Sequence, residues 1–424
     1  MLKENIKETR LPNGSVVLTD KMPDVRSAMI GLFFRCGSRH EPAELNGITH
    51  FIEHCVFKGT QKRTALDIAI ETDRLGGNMD AFTTHEETGF AIKVIDDRVE
   101  DAFDLLADML VQPTFSAGDL KSERQVIIEE IKMTEDSPEE RLGDIFTETF
   151  FAGHPLGLSI AGTPKTVRSF DRSKTAAYHA EMFQPRNLVI AAAGNIDHER
   201  LLKLVENTFG GSNTKTKPLP KTRKPTPQAS VTIKKDASLE QAHFIVALPF
   251  VGGADPLRYQ ADLLTNIIGG GTSSRLWQKI REERGLAYSV GASSVMYRDC
   301  GFFSMFAATS PKHFNEAVDI SIAELRRVAA DGVSQAEVEL VKEQTRASIL
   351  LGLEDSAGRA ASLAHSEMLH GRQIAIEETL AGVEAVTAAD LKKLARRYFK
   401  TGKITLTALG DLKGIKVSTD RLAI

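Results

Sequence analysis

His50 and His54 stand four residues apart in GITHFIEHCVFKG, residues 47 to 59, with Glu53 directly before the second histidine. On a helix ending at Gly59, two side chains at that spacing leave one face about one turn apart. Two imidazoles placed so can share a metal ion. Glu53 lies beside the same face. It cannot readily bind the metal in line with both histidines, but it can reach a water on the metal. A hydrolytic metal centre needs three protein ligands and an open position, so a third ligand must come from elsewhere in the chain.

The segment SERQVIIEEIKMTED, residues 122 to 136, supplies candidates. Glu123 and Glu130 are seven residues apart and fall within about 20° of one helical face. Glu129 is rotated by about 100° from Glu130. Two carboxylates on one face among Val126, Ile127 and Ile131 are costly to bury without a purpose. The reading assigns Glu130 as the third ligand and Glu123 as the acceptor for a ligand histidine N–H, which fixes that ring's tautomer. Two histidines and one glutamate suit zinc, one ion per chain. Glu53 is then the general base. Taken alone, the histidine motif is matched by the plainer reading of an amphipathic helix that carries two histidines. The glutamate pair on a separate helix tips the balance.

The elements that position these residues occur twice. FSAGDLKSERQVIIEEIKMTEDS, residues 115 to 137, is echoed by VSQAEVELVKEQTRASILLGLEDS, residues 333 to 356. Both open on an apolar residue and serine, and both end in Glu-Asp-Ser. Upstream, residues 96 to 110 and 312 to 328 share helical apolar spacing. Strands are predicted over 27–38, 88–95, 241–250 and 301–310 from their β-branched and aromatic content. Helices are predicted over about 46–58, 63–75, 97–111, 116–135 and 138–151. The fold class is therefore α+β, with two internally duplicated domains, each a mixed or antiparallel sheet with helices packed on one face. They cover 1–210, the metal-binding domain, and 231–424, a repeat without metal. Residues 211–230, rich in Pro, Thr, Lys and Gly, read as an exposed linker. At the second copy's counterparts of Glu123 and Glu130 stand Val341 or Lys342, and Ser348 or Ile349. ADLLTNIIGGGTSSRLW, where the histidine helix should recur, has no histidine. GGGTSS within it lacks the lysine of a phosphate loop and reads as a flexible loop.

Composition narrows the function classes. The 424 residues are 42% hydrophobic and 26% charged, ordinary for a globular protein. A net charge of −4, from 53 basic and 57 acidic residues, lacks the basic surplus of a nucleic-acid binder. Three scattered cysteines argue against a disulfide framework and for a reducing compartment. No signal-peptide core or long apolar run is visible, so a cytoplasmic, bacterial-like location without a membrane span is expected.

The motifs resemble those of the pitrilysin/insulinase family of zinc peptidases, and within it the subunits of mitochondrial processing peptidase and their bacterial relatives. H-x-x-E-H is the inverzincin order, and Glu130 follows His54 at the spacing of that family's third ligand. Glu123 matches its further acidic residue. Cys55 stands where an apolar residue is commoner, on the side of the helix away from the metal. GGNMDAFTTHEET, residues 76 to 88, is similar to the segment whose edge strand pairs with substrate, which implies substrate contacts at Asp80, Ala81 and Phe82. Asp80 stands where asparagine is commoner. RLWQKIREERGLAYSV, residues 275 to 290, resembles the motif whose arginine and tyrosine help hold substrate, here Arg281 and Tyr288. The resemblance implies a mitochondrial-processing-peptidase-like metallohydrolase fold and a zinc-dependent endopeptidase acting on unfolded or short peptides. It also implies a homodimer or a heterodimer with a related chain, in which Arg281 and Tyr288 serve the metal site of the associated chain. The competing expectation is a non-catalytic peptide-binding or scaffold subunit of a hetero-oligomer.

Overall fold

Unbroken apolar runs mark strands covered on both faces. Leu188–Gly194 is such a run, buried along its whole length, and Ser27–Phe34 is nearly so. In a computed structural model, which describes residues 4–76, 78–211, 218–415 and 417–424, these two pair at the centre of a six-stranded sheet. Its strands are β1 (Ile6–Arg10), β2 (Val16–Lys21), β3 (Ser27–Phe34), β4 (Asn78–Thr83), β5 (Thr88–Ile95) and β6 (Leu188–Gly194). Their order is β1-β2-β6-β3-β5-β4. Only β2 and β6 run parallel. β4, at the edge, alternates exposed and half-buried residues.

A second, five-stranded sheet is built from β7 (Val231–Lys235), β8 (Ala242–Phe250), β9 (Ala287–Met296), β10 (Gly301–Thr309) and β11 (Thr405–Gly410). Its order is β7-β11-β8-β10-β9, with β7 and β11 the parallel pair. Without β1, the first sheet has the same order and the same place for its parallel pair. The repeat in sequence is thus a repeat in topology.

The helices of the first half span Ile48–Cys55, Ala65–Arg74, Val99–Val111, Ala117–Asp136 and Pro138–Phe150, each within a few residues of expectation. Phe51, Ile52, Phe103, Leu106 and Ile127 from this layer pack with Ile30, Leu32, Phe34 and Phe90 of the sheet.

The chain forms two compact units, and they are not the contiguous halves 1–210 and 231–424. The first comprises Met1–Lys132, Leu158–Arg223 and Leu350–Ala375; the second comprises Met133–Gly157, Lys224–Ile349 and Ile376–Ile424. Each unit therefore takes one helix from the other half of the sequence. In the first, helix Ser356–His370 lays Leu363, Ala364 and Met368 on Val16, Leu18, Phe33 and Val189. In the second, helix Pro138–Phe150 and the turn after it set Phe146, Phe150 and Phe151 against Ala247, Cys300 and Phe302. Both helices begin at the serine of a Glu-Asp-Ser triplet, Ser137 and Ser356. Among the described residues, each sheet thus carries the expected helical layer on one face and the helix from the other half of the sequence on the other. Residues 212–217 of the expected linker and Gly77 lie outside the described residues. Cys36, Cys55 and Cys300 are buried thiols. Among the described residues, no helix is long and apolar enough to cross a membrane.

Candidate metal centre and active site

The histidine helix is held from below and from its N-terminus. Phe51, Ile52 and Cys55 sink into the core, which leaves His50 and His54 on the opposite side. Gly47, before the first turn, has φ 95°. A Cβ there would come within 2.6 Å of the Ala161 carbonyl oxygen, so only glycine fits. The buried Glu41 carboxylate caps the helix, accepting from the backbone N–H of Gly47 (2.7 Å) and Thr49 (2.8 Å). Burial raises the Glu41 pKa to about 7 despite those hydrogen bonds.

The helix Ala117–Asp136 brings Glu130 to the histidines. Its Oε2 lies 3.6 Å from His54 Nε2 and 3.9 Å from His50 Nε2. One ligand atom from each of the three residues lies within 4.8 Å of the others. On the far side of His54, Nδ1 is 3.3 Å from Glu123 Oε2. A carboxylate only accepts, so Nδ1 carries the proton. In the neutral ring, Nε2 then aims a lone pair at the Glu130 oxygen. The His50 ring is neutral, since burial, and next the charge of His54, lower its pKa to about 4. The Glu130 carboxylate favours positive charge beside the two rings, which a cation bound between them would supply in place of a proton on His54. The donor set, nitrogen and oxygen in a three-ligand cluster, fits zinc.

Glu123 is nearly fully buried and also accepts from Lys58 Nζ at 2.9 Å. Burial works to raise its pKa, but the hydrogen bonds from His54 and Lys58 outweigh it and hold the carboxyl below its usual range. For His54, burial works to lower the pKa. Glu123, Glu130 and Glu53 overcome this and raise it.

Glu53 is buried beside the cluster, and its Oε2 accepts from Thr83 Oγ1 at 2.6 Å. Burial raises its pKa, opposed by Thr83 and by the charge of His54. Thr83 ends β4, so this bond ties Glu53 to the edge strand that also carries Asp80, Ala81 and Phe82. Phe82 is exposed, and among the described residues β4 pairs only with β5.

Arg281 and Tyr288 belong to the second unit. Arg281 sits in a single π-helical turn, Trp277–Glu282, a rare irregularity frequent at functional sites. Its guanidinium lies 4.0 Å from the Trp277 ring centre and 4.5 Å from that of Tyr288, a double cation–π contact. Tyr288 is 78% exposed.

Sequence reasoning missed Glu41, Lys58, Thr83 and Trp277. Lys58 and Trp277 left a faint trace, each four positions from a residue that was found. Thr83 and Glu41 left none, because their contacts depend on how strand and loop meet the helix.

A family model described as Insulinase (Peptidase family M16) matches residues 16–164, and one described as Peptidase M16 inactive domain matches residues 169–345. The chain is 38% identical over 394 residues to a Mycobacterium leprae protein bearing the name uncharacterized zinc protease, covering 92% of this chain and 88% of that one. The chain belongs to the insulinase family. A Streptomyces coelicolor member with the same description is 36% identical, covering 97% of this chain and 91% of that one. The Bacillus subtilis member YmxG, also described as an uncharacterized zinc protease, is 36% identical and covers 93% and 96%. The insulinase-family fold recurs in a protease from Helicobacter pylori, with TM-score 0.90, 21% identity and coverage of 96% and 100%. It recurs also in a chain of complex III2 from Candida albicans, with TM-score 0.85, 21% identity and coverage of 99% and 100%.

Proposed function

We propose that this chain is a zinc-dependent endopeptidase for unfolded or short peptides. The observation that carries the reading is the convergence of His50, His54 and Glu130 beside a buried glutamate held by Thr83. Relatives described as zinc proteases support it. His50, His54 and Glu130 would hold the ion, and Glu123 and Lys58 keep His54 in the tautomer that offers Nε2. Zinc, when bound, supplies Lewis acidity that draws a water's pKa toward neutrality.

Glu53 takes the proton of the attacking water and later returns it to the leaving amine. Its buried setting makes it a stronger base than an exposed glutamate, and Thr83 fixes one oxygen while the other receives the proton. An extended peptide adds a strand to β4 at Asp80, Ala81 and Phe82, where the outer backbone groups are open. Backbone pairing of that kind selects chains without structure of their own. Arg281 and Tyr288, supplied by the second unit of an associated chain, donate to the substrate carbonyl as charge develops on it.

The test is hydrolysis of a quenched fluorescent peptide of about twenty residues, long enough to lie along β4. Glu53→Gln keeps the shape but cannot take a proton. It loses roughly 10²-fold or more of the rate while metal analysis finds zinc still bound. A second reading, a peptide-binding subunit without turnover, draws on the match of residues 169–345 to an inactive-domain model. It prevails if the unaltered, zinc-loaded chain cleaves nothing.

A further inference from the structure

The second unit has kept the place of the metal centre and changed its chemistry. Helix Arg258–Gly269 follows β8 as the histidine helix follows β3. Helix Gln335–Gly352 is the second copy of the helix that carries Glu123 and Glu130, and Val341 and Ser348 occupy their positions in the repeat. Between these helices lies an open cavity of about 600 Å³, lined by both Val341 and Ser348, within the usual range for ligand sites.

From the other helix, Asp262 and Asn266 face the cavity, four residues apart as His50 and His54 are. Gln344 and Thr345 add further polar groups, and Met296, Val341, Ile349 and Val383 form an apolar floor. Among the described residues, the side chains of Asp262, Asn266, Gln344, Thr345 and Ser348 make no hydrogen bond or ion pair.

Among the described residues, the one basic side chain in the lining, Arg258, is engaged elsewhere. It donates to Tyr259 Oη at 2.8 Å and lies 4.3 Å from that ring's centre. Asp262 is therefore a carboxylate without a cation. It opens to solvent through the cavity mouth, yet the surrounding walls raise its pKa by burial. A carboxylate, amide and hydroxyl groups and apolar side chains in one lining together describe a receptor for a cation on an aliphatic stem.

We propose that this cavity binds a lysine or arginine side chain of a polypeptide, giving the chain a second hold on its substrate. The identity of that polypeptide as substrate rests on the peptidase reading; binding itself does not.

The test titrates the full chain with Nα-acetyl-lysine methylamide and its arginine counterpart, following the Met296 methyl resonance by NMR, assigned with Met296→Leu. The expected result is a saturable shift with one or both probes and none with the norleucine analogue. Asp262→Asn should weaken the binding about ten-fold or more, the loss of one charge-assisted contact. Ser348→Lys, which brings a competing ammonium from the opposite wall, should abolish it. Glu130→Gln should leave it in place. No saturable shift, an equal response to norleucine, or insensitivity to both Asp262→Asn and Ser348→Lys overturns the proposal. So does binding of free putrescine where both acetylated amides fail. Because the signal reports binding without turnover, a failed cleavage assay leaves it standing, and a silent Met296 leaves the peptidase reading standing.

Discussion

The two units share strand order, the place of the parallel pair and a buried carboxylate tied to an arginine. In the first unit Arg63 meets Asp108 at 2.8 Å; in the second Arg275 meets Glu324 at 3.8 Å. They differ in what fills the space between the helix after the second core strand and the long helix of the repeat. In the first unit that space holds His50, His54 and Glu130; in the second it holds Asp262, Asn266 and Ser348. Since the second unit folds without them, the histidines and glutamate are not there for stability. Three imidazole and carboxylate groups brought together there are what the proposed peptidase would need.

The units differ also in how they hold the helix taken from the other half of the sequence. In the first, buried ion pairs join the apolar contacts of Leu363, Ala364 and Met368. Arg359 reaches the buried Asp20 at 2.5 Å, and Glu367 accepts from both Arg10 (2.7 Å) and Arg35 (2.6 Å). In the second it is mainly aromatic, with Phe150 fully buried and ring centres 4.9 Å from Phe151 and 5.8 Å from Phe302, beside a more exposed ion pair of Arg141 with Asp236 at 2.8 Å. The largest predicted effects test this contrast. Arg359→Met strands the Asp20 carboxylate and should cost about 3–5 kcal/mol. Adding Asp20→Leu should recover most of that, because a buried pair replaced by apolar groups is near neutral. Phe150→Ala should cost about 3–5 kcal/mol, with no comparable rescue by a single partner change. Urea unfolding measures both. An Arg359→Met cost below about 1 kcal/mol, the range of a surface ion pair, would break the contrast.

Within the proposed metal centre, Glu130→Gln would remove a donor and should cost several kcal/mol of transition-state stabilisation, about a thousand-fold in rate, together with bound zinc. Glu123→Gln leaves all three donors but loosens the hold on His54. Zinc affinity should fall about 10–100-fold, read by competition with a chromogenic chelator. Equal losses for the two variants would mean that Glu123 is itself a donor and that the division drawn between the two glutamates is wrong.

Much of this was legible in the sequence where periodicity carries it. His50 with His54, and Glu123 with Glu130, could be read because helical geometry converts spacing into a shared face. The duplication could be read because Glu-Asp-Ser recurs at a matching interval. The exchange of helices between units could not. Ser137 and Ser356 mark where the chain leaves one unit, but an amphipathic helix presents the same pattern whichever sheet it covers. The Arg359–Asp20 pair was hidden for the same reason, as its members are 339 residues apart. Trp277 stands four positions before Arg281, a spacing at which helical side chains meet, but the π-turn there and the second ring contact from Tyr288 have no local signal. The second unit's cavity was visible from sequence only as an absence of histidines.

The smallest predicted effect concerns Thr83, whose hydroxyl lowers a Glu53 pKa that burial raises. Glu53 must be ionised to take a proton, so activity is lost as pH falls through its pKa. Thr83→Val removes the lowering influence and should move the acid limb of the kcat/KM profile to higher pH. Well above that limb the base is ionised in both proteins, and only its orientation suffers. The loss there should be a few-fold, in line with about 1 kcal/mol for one hydrogen bond. Thr83→Ser, which restores the hydroxyl, should restore the limb. If Thr83→Val lowers the rate equally at every pH, Thr83 serves only to place β4 for substrate and does not tune the base.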